Sequence, residues 1–282
     1  MKALAQGRLV ARLAQGAADV AQAQALRHLA FRQSKGAGGQ GKGAGGPGNG
    51  AGGPGNGAGG PGNGAGGPGN GAGKNDADRF DAMARHVLVT DTVSGAVQCC
   101  FRVQGFAGAG IADSYAAQFY DLGRLEAFPG PMLELGRFCL NPACHDPDVL
   151  RLAWGAIARI VDAEGVSLLF GCSSFAGTDV AVHAPALGAL AVHVAPHAWA
   201  PLRRAPETVD LAQQAGLHTP RAGQTAMPAL LRTYLGMGAW VSDHAVIDRA
   251  MDTLHVLTGV EIAGIPPARA RALRMIGAEK VG

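Results

Sequence analysis

The chain opens on a short alternation of apolar and polar positions, GRLVARLA (Gly7 to Ala14), which predicts an edge strand. In AADVAQAQALRHLAFRQ (Ala17 to Gln33) the apolar positions Val20, Ala23, Leu26, Ala30 and Phe31 recur at helical spacing. The pattern stops at Gly36 and resumes with DADRFDAMA (Asp76 to Ala84), whose carboxylates around an aromatic predict a capped turn or short helix. HVLVTD (His86 to Asp91), the turn TVSG and AVQCCFRV (Ala96 to Val103) predict a hairpin. YAAQFYDLGRLEAF (Tyr115 to Phe128) reads as a helix with a loop, and PMLELGRFCLN (Pro131 to Asn141) as a strand. PDVLRLAWGAIARIVDAEG (Pro147 to Gly165) is amphipathic, with Pro near its start and Gly at its C-terminal cap, and predicts a helix. VSLLFGCSSF (Val166 to Phe175) predicts a buried strand. GTDVAVHAPALGALAVHVA (Gly177 to Ala195) predicts a helix capped by Thr178 or Asp179. PALLRTYLGMG (Pro228 to Gly238) reads as another helix, and DHAVIDRAMDTLHVLTGVEI (Asp243 to Ile262) as a final strand pair. The basic PPARARALRMIG adds a short helix.

Antiparallel hairpin and parallel βαβ signals occur together. They predict an α/β chain with a mixed sheet and helices on both faces. The interruption at 36–73 holds 22 of the 44 glycines, with AGGPGNG four times in tandem from Ala44 to Gly71. Its glycines do not follow the third-position period of collagen, and it has almost nothing to bury. It is therefore expected to be a disordered insertion in one domain made of residues 1–35 and 74–282.

Composition narrows the picture further. A net charge of +3 gives no strong polyanion signal and no case for nucleic acid. Five cysteines, an odd number with no C-x-x-C, argue against a disulfide framework or a structural zinc and fit a reducing, cytoplasmic setting. Arg8 and Arg12 interrupt the N-terminal segment, so it does not read as a secretory signal. No apolar run reaches the ~18 residues a membrane span needs, although peripheral attachment stays open.

The most informative local group is LELGRF, Leu133 to Phe138, where an acid and an arginine interrupt an apolar strand. Buried charges are expensive unless paired. Glu134 and Arg137 are three apart, so a regular strand would send them to opposite faces, whereas a bulge at Gly136 would bring them together. Asp78 and Asp81 are either capping carboxylates or a pair facing a cationic amine. Arg27 and Phe31 share one helix face, as a surface Arg with a core Phe or as parts of a site, and Arg102 in CCFRV has the same ambiguity. No H-E-x-x-H, G-x-S-x-G or GxxxxGK[ST] is present.

Taken in order, ALRHLAFRQ, DRFDAMARHVLV, CCFRV, LELGRFCLNP, FGCSSFAGTD and PALLRTYLGMGAWVSDHAVIDR resemble the L-ornithine N-alpha-acyltransferases of ornithine lipid synthesis. These belong to the GNAT-like superfamily, and their front half is similar to the acyl-homoserine-lactone synthases. The resemblance runs from Gly7 to about Leu273 outside the insertion. It implies transfer of a 3-hydroxyacyl group from acyl carrier protein to the alpha-amine of L-ornithine, with no cofactor and an O-acyltransferase acting next. An enzyme with another amine acceptor, such as a homoserine-lactone synthase, is the alternative. Under this resemblance Glu134 is the candidate base, with Arg137 beside it. Asp78 and Asp81 would hold the side-chain ammonium, Arg102 or Arg137 the carboxylate, and Arg27 and Phe31 complete the shared motif. Arg151, Arg159, Arg203 and Arg204 are candidates for a carrier-protein surface. Where acetyltransferases of this superfamily have a glycine loop for pyrophosphate, this chain reads ACHDPDVL, whose carboxylates would repel it.

Overall fold

A computed structural model describes residues 1–36 and 75–278. The expected insertion therefore lies outside the described residues, except that Gly36 ends the first helix. Ten strands form one twisted sheet: β1 (Leu4–Gln6), β2 (Leu9–Leu13), β3 (Arg85–Asp91), β4 (Val97–Phe106), β5 (Met132–Leu140), β6 (Leu168–Ala176), β7 (Thr208–Asp210), β8 (Trp240–Val241), β9 (His244–Asp248) and β10 (Thr253–Glu261). Their spatial order is β1-β2-β3-β4-β5-β6-β10-β9-β7, with β8 paired to β10. Every pairing is antiparallel except β5 with β6. The expected mixed sheet with helices is present.

Helix α1 (Ala17–Gly36) covers one face, packing Ala23, Leu26, Ala30 and Phe31 over Cys100 and Cys139. Helix α2 (Pro147–Glu164) covers the other with Leu152, Ile157 and Ile160. Its boundaries follow the sequence signals: Asp146 caps the first turn, Pro147 occupies it, and Gly165 closes the helix in the left-handed region. Further helices are α3 (Val180–Leu190), capped by Asp179, α4 (Ala229–Leu235) and α5 (Pro267–Ala278). All five cysteines are free thiols.

Two expectations change, and a stretch that carried none is structured. The segment at 7–14 is an interior strand, because Gly7 takes a positive φ and turns Leu4–Gln6 back to form the true edge. Tyr115–Phe128 is not a helix but a chain of 3-10 turns with a two-residue strand. Tyr115, Ala116, Ala117, Tyr120, Leu122 and Leu125 are all buried, and their packing overrides the helical spacing of the polar Gln118, Asp121 and Arg124. The stretch from 196 to 227 carries no apolar period, yet it supplies β7 and two short helices, Leu211–Gln214 and Pro220–Ala226. Among the described residues, no helix is long and apolar enough to cross a membrane.

Candidate functional site

The site follows from what β5 does between Glu134 and Phe138. Cys100 of β4 pairs with Cys139, but Arg102 pairs with Gly136, so two steps along β4 match three along β5. The extra residue is Arg137, at φ 54, and not Gly136. Gly136 instead lies beneath Arg102, whose Nε is 3.5 Å from where a Cβ would stand. The bulge reverses the alternation of faces. Leu133, Leu135 and Phe138 all join the core on the α2 side, and Cys139 joins the α1 side. Glu134, Arg137 and Arg102 consequently share the α1 face, as a bulge requires.

Next to the bulge the sheet opens. β5 and β6 pair only from Met132↔Leu168 to Glu134↔Phe170, then diverge, each still bound to its other neighbour. Gly171 stands where they part, and a Cβ there would overlap the Leu135 carbonyl oxygen. The resulting cleft passes through the sheet. Arg102, Tyr115, Glu134 and Arg137 line it together with the apolar Leu135, Phe138, Leu230 and Tyr234. Its interior volume is about 40 Å³, room for a few waters.

Glu134 is 6% exposed. Its carboxylate accepts from the backbone N–H of Tyr115 at 2.9 Å and of Ala116 at 2.8 Å, at the start of a 3-10 turn. Burial pushes its pKa up, the two amides pull it down, and it comes to rest at about 7. The Tyr115 hydroxyl is buried without a hydrogen-bond partner, and its ring stacks edge-on to Phe80 at 5.2 Å. Burial keeps that phenol neutral, well above its ordinary pKa.

Three arginines and three aspartates form an ion cluster that reaches the cleft through Arg102 and Arg137. Arg27, 1% exposed, holds Asp81 through two bonds of 2.8 and 2.6 Å and pairs with Asp76 at 3.0 Å. Arg102 bridges Asp78 and Asp81 at 2.6 and 2.7 Å. Arg137 reaches Asp78 at 2.7 Å and Asp76 at 3.2 Å. Asp78 also caps the turn Arg79–Ala82, with Asp81 closing the capping box. Burial works to raise the Asp81 carboxyl, and the Arg27 hydrogen bonds overcome it, leaving it far below the carboxylate range. Opposite charges are balanced here, as buried ions require.

The structure thus brings together Glu134, Arg137, Arg102, Asp78, Asp81 and Arg27, but it divides them. Glu134, Arg102 and Arg137 line the cleft, while Arg27, Asp78 and Asp81 stand behind it. Phe31 packs into the core between α1 and the sheet and does not line the cleft. Asp76 and Tyr115 were not singled out by the sequence; Asp76, in the same acidic run as Asp78 and Asp81, had a signal, and Tyr115 had none. The four surface arginines are each engaged: Arg151 with Asp148, Arg159 with the Ala3 carbonyl, Arg203 with Asp210 and Arg204 with the Ala117 carbonyl. No cluster of metal-ligating side chains occurs among the described residues.

A buried carboxyl near neutrality, held by two amides where the sheet opens, suits removal of a proton from an attacking amine. Comparison with known proteins identifies the family. The acetyltransferase (GNAT) domain model matches residues 63–155. An L-ornithine N(alpha)-acyltransferase of Rhodobacter capsulatus is 33% identical over 189 residues, 64% of this chain and 73% of that protein. One from Brucella abortus is 30% identical over 227 residues, 73% of this chain and 76% of that protein. Among solved structures, an N-acyl amino acid synthase from uncultured soil microbes aligns with a TM-score of 0.49 at 7% identity, over 94% of this chain and 99% of that one. The chain is an acyltransferase of the GNAT fold and belongs to the L-ornithine N(alpha)-acyltransferase family.

Proposed function

We propose that the enzyme transfers a 3-hydroxyacyl group from the thioester of an acyl carrier protein to the alpha-amine of L-ornithine, the first step in making an ornithine lipid. The observation that carries this reading is Glu134, held by two amides at the fork of β5 and β6 with its pKa at about 7. At neutral pH it takes a proton from the amine. The nitrogen lone pair then attacks the thioester carbonyl, the N–C bond forms, and the C–S bond breaks. The carrier thiol leaves with a proton. Donors for the oxyanion come from N–H groups of β5 and β6 that lose their ladder partners where the strands part.

Arg102 and Arg137 face the cleft on the Glu134 side and have guanidinium N–H groups suited to a carboxylate. Asp78 and Asp81 act as positioning residues for these arginines, because their oxygens are already engaged. At the N-terminus of α2, Asp146 accepts from the Asp148 N–H at 2.9 Å. The helix end that would grip a pyrophosphate therefore meets its own carboxylate, which supports a carrier-bound donor over coenzyme A. The enzyme would work in the cytoplasm, in peripheral contact with the membrane, and hand its product to an O-acyltransferase.

The test is thiol release by purified protein given 3-hydroxyacyl carrier protein and ornithine, with mass detection of the acylated amino acid. Release with ornithine is expected. Turnover only with S-adenosylmethionine as acceptor, or only with a coenzyme A thioester as donor, would overturn the reading.

A further inference from the structure

The reaction as proposed leaves one substrate charge and one buried carboxylate without a role. Ornithine carries a side-chain ammonium, and Asp78 and Asp81 are already held by arginines. Among the described residues three acids are buried: Asp91, Glu134 and Asp248. Asp91 serves the β3–β4 turn and pairs with Arg8. Asp248 ends β9, on the opposite flank of the cleft from the ion cluster. A buried carboxylate is expensive unless something compensates it.

The alternation of the strands places Asp248 on the face of Glu134. Met132, Phe170, Val246 and Leu257 share one core cluster, and Glu134, Cys172, Asp248 and His255 each lie two residues from one of them on the same strand. Thr253 stands directly opposite Asp248 across β9 and β10. Ser174 pairs with His255 and lines the cleft together with Cys172. Aromatic rings follow the same path: Tyr115, a wall of the cleft, packs on Phe119 at 5.6 Å, and Phe119 on His255 at 4.8 Å. Burial raises the Tyr115 hydroxyl and the Cys172 thiol well above their ordinary pKa, and the Asp248 charge adds to both.

Two polar atoms on this face have no hydrogen-bond partner: Thr253 Oγ1 and His255 Nε2, on side chains 1% and 2% exposed. The Tyr120 hydroxyl donates to the His255 carbonyl at 2.9 Å, so at 3.0 Å it accepts the ring Nδ1–H, and Nε2 carries the lone pair. Burial lowers the His255 pKa to about 3, which keeps the ring neutral. An alkylammonium has three donors and no acceptor. A carboxylate, a neutral imidazole nitrogen and a hydroxyl oxygen match it. Glu134 is level with Phe170, and Ser174 lies four residues further, about 13 Å along β6. A hydrogen bond of about 3 Å at either end leaves roughly 7 Å, which an extended ornithine bridges from nitrogen to nitrogen.

We infer that Asp248, Thr253 and His255 form the subsite for the side-chain ammonium of the acceptor. The inference rests on the ornithine-acceptor reading above. Held there, the side-chain nitrogen stays protonated and has no lone pair, so the alpha-amine alone attacks beside Glu134.

Two variants test it. Asp248→Asn keeps an oxygen for the Met251 N–H that closes the hairpin turn, and removes the charge. Thr253→Val removes a hydroxyl that bonds nothing in the protein. Binding is measured by calorimetry for L-ornithine and for L-norleucine, which has a methyl group where ornithine has its ammonium, alongside transfer from 3-hydroxyacyl carrier protein. Wild type is expected to favour ornithine by at least about a hundredfold. In Asp248→Asn that preference is expected to fall by at least about tenfold, in KM more than in kcat, and to be regained in part in Asp248→Glu. Thr253→Val is expected to bind ornithine at least about threefold more weakly with no fall in melting temperature. A folded Asp248→Asn that keeps the preference, or loses affinity for both amino acids equally, overturns the inference while leaving transfer to ornithine intact. If Asp248→Asn does not fold, Thr253→Val decides, and unchanged ornithine binding there overturns the inference. Wild-type binding that does not separate ornithine from norleucine overturns it too. Selective ornithine binding that both variants weaken, without any transfer from the carrier protein, leaves the subsite standing and removes the donor reading.

Discussion

Glu134 is pulled two ways, by burial that favours the protonated acid and by two amides that favour the anion. The outcome, about 7, gives a sign to two measurements. The base acts as carboxylate, so kcat/KM is expected to rise as pH passes upward through about 7. In Glu134→Gln that limb disappears and the rate falls at least about a hundredfold, the lower end of general-base contributions. A variant that keeps the limb or near wild-type turnover removes Glu134 from the role. Stability moves the other way. The folded pKa lies above the unfolded one, so folding gains from the protonated acid below the ordinary carboxylate range and loses that gain as pH rises through about 7. The melting temperature of Glu134→Gln relative to wild type is therefore expected to climb between pH 5 and pH 8. Glu134, Arg102 and Arg137 were legible in sequence because charge inside an apolar strand demands a reason. Tyr115 was not, since it lies in a loop with no period, and only the fold shows its hydroxyl unpartnered against the cleft. Phe31 has the spacing of a core residue and of a site residue alike, and burial decides for the core.

At the scale of elements, the site is the product of two departures from regular sheet. The bulge at Arg137 turns the cationic side chain to the face of Glu134, and the early end of the β5–β6 ladder opens the slot. Arg137 holds a left-handed backbone that bulky residues rarely adopt, and its pairs with Asp76 and Asp78 keep it there. Gly171 sets how closely the strands meet before they part. Gly171→Ala forces its methyl against the Leu135 carbonyl, and overpacking of this kind costs about 1–3 kcal/mol. The variant is expected to melt several degrees lower and to lose activity beyond what that shift explains, because the fork itself moves. A variant matching wild type in both would show that the close approach is not what fixes the slot. The spacing of LELGRF pointed to a bulge, but its position one residue past the glycine was not legible, because it depends on Arg102 covering Gly136 from the neighbouring strand. Amphipathic α2 was readable to its caps, whereas in 115–128 the spacing of Gln118, Asp121 and Arg124 reads as a helix, and only packing in the fold shows its turns.

For the whole molecule, the question is how the two parts of the domain on either side of residues 37–74 are joined. Helix α1 ends at Gly36, and the described chain resumes at Asn75, with the Asp76 N–H bonded to the Gln24 carbonyl at 3.1 Å. Gly36 and Gln24 are twelve residues apart along α1. At about 1.5 Å per residue that separation is roughly 18 Å. An extended chain covers at most about 3.3–3.6 Å per residue, so about six residues are the least that can span it. The ion cluster anchors both sides of the junction: Arg27 of α1 grips Asp76 and Asp81, and Arg102 and Arg137 of the sheet grip Asp76 and Asp78. These contacts register the two parts against each other. Replacing residues 37–74 by a flexible linker of eight to ten residues is expected to keep the wild-type fold and turnover. Its melting temperature should be equal or slightly higher, because shortening a loop lowers its closure entropy by only about 0.6 kcal/mol per halving. A linker of three residues cannot make the return, and is expected to detach Asp76 from Gln24, release Asp81 from Arg27 and lower both stability and rate. Circular dichroism melts and thiol release measured on the two deletions separate these outcomes. Loss of folding or of all activity with the longer linker would show that the stretch does more than connect.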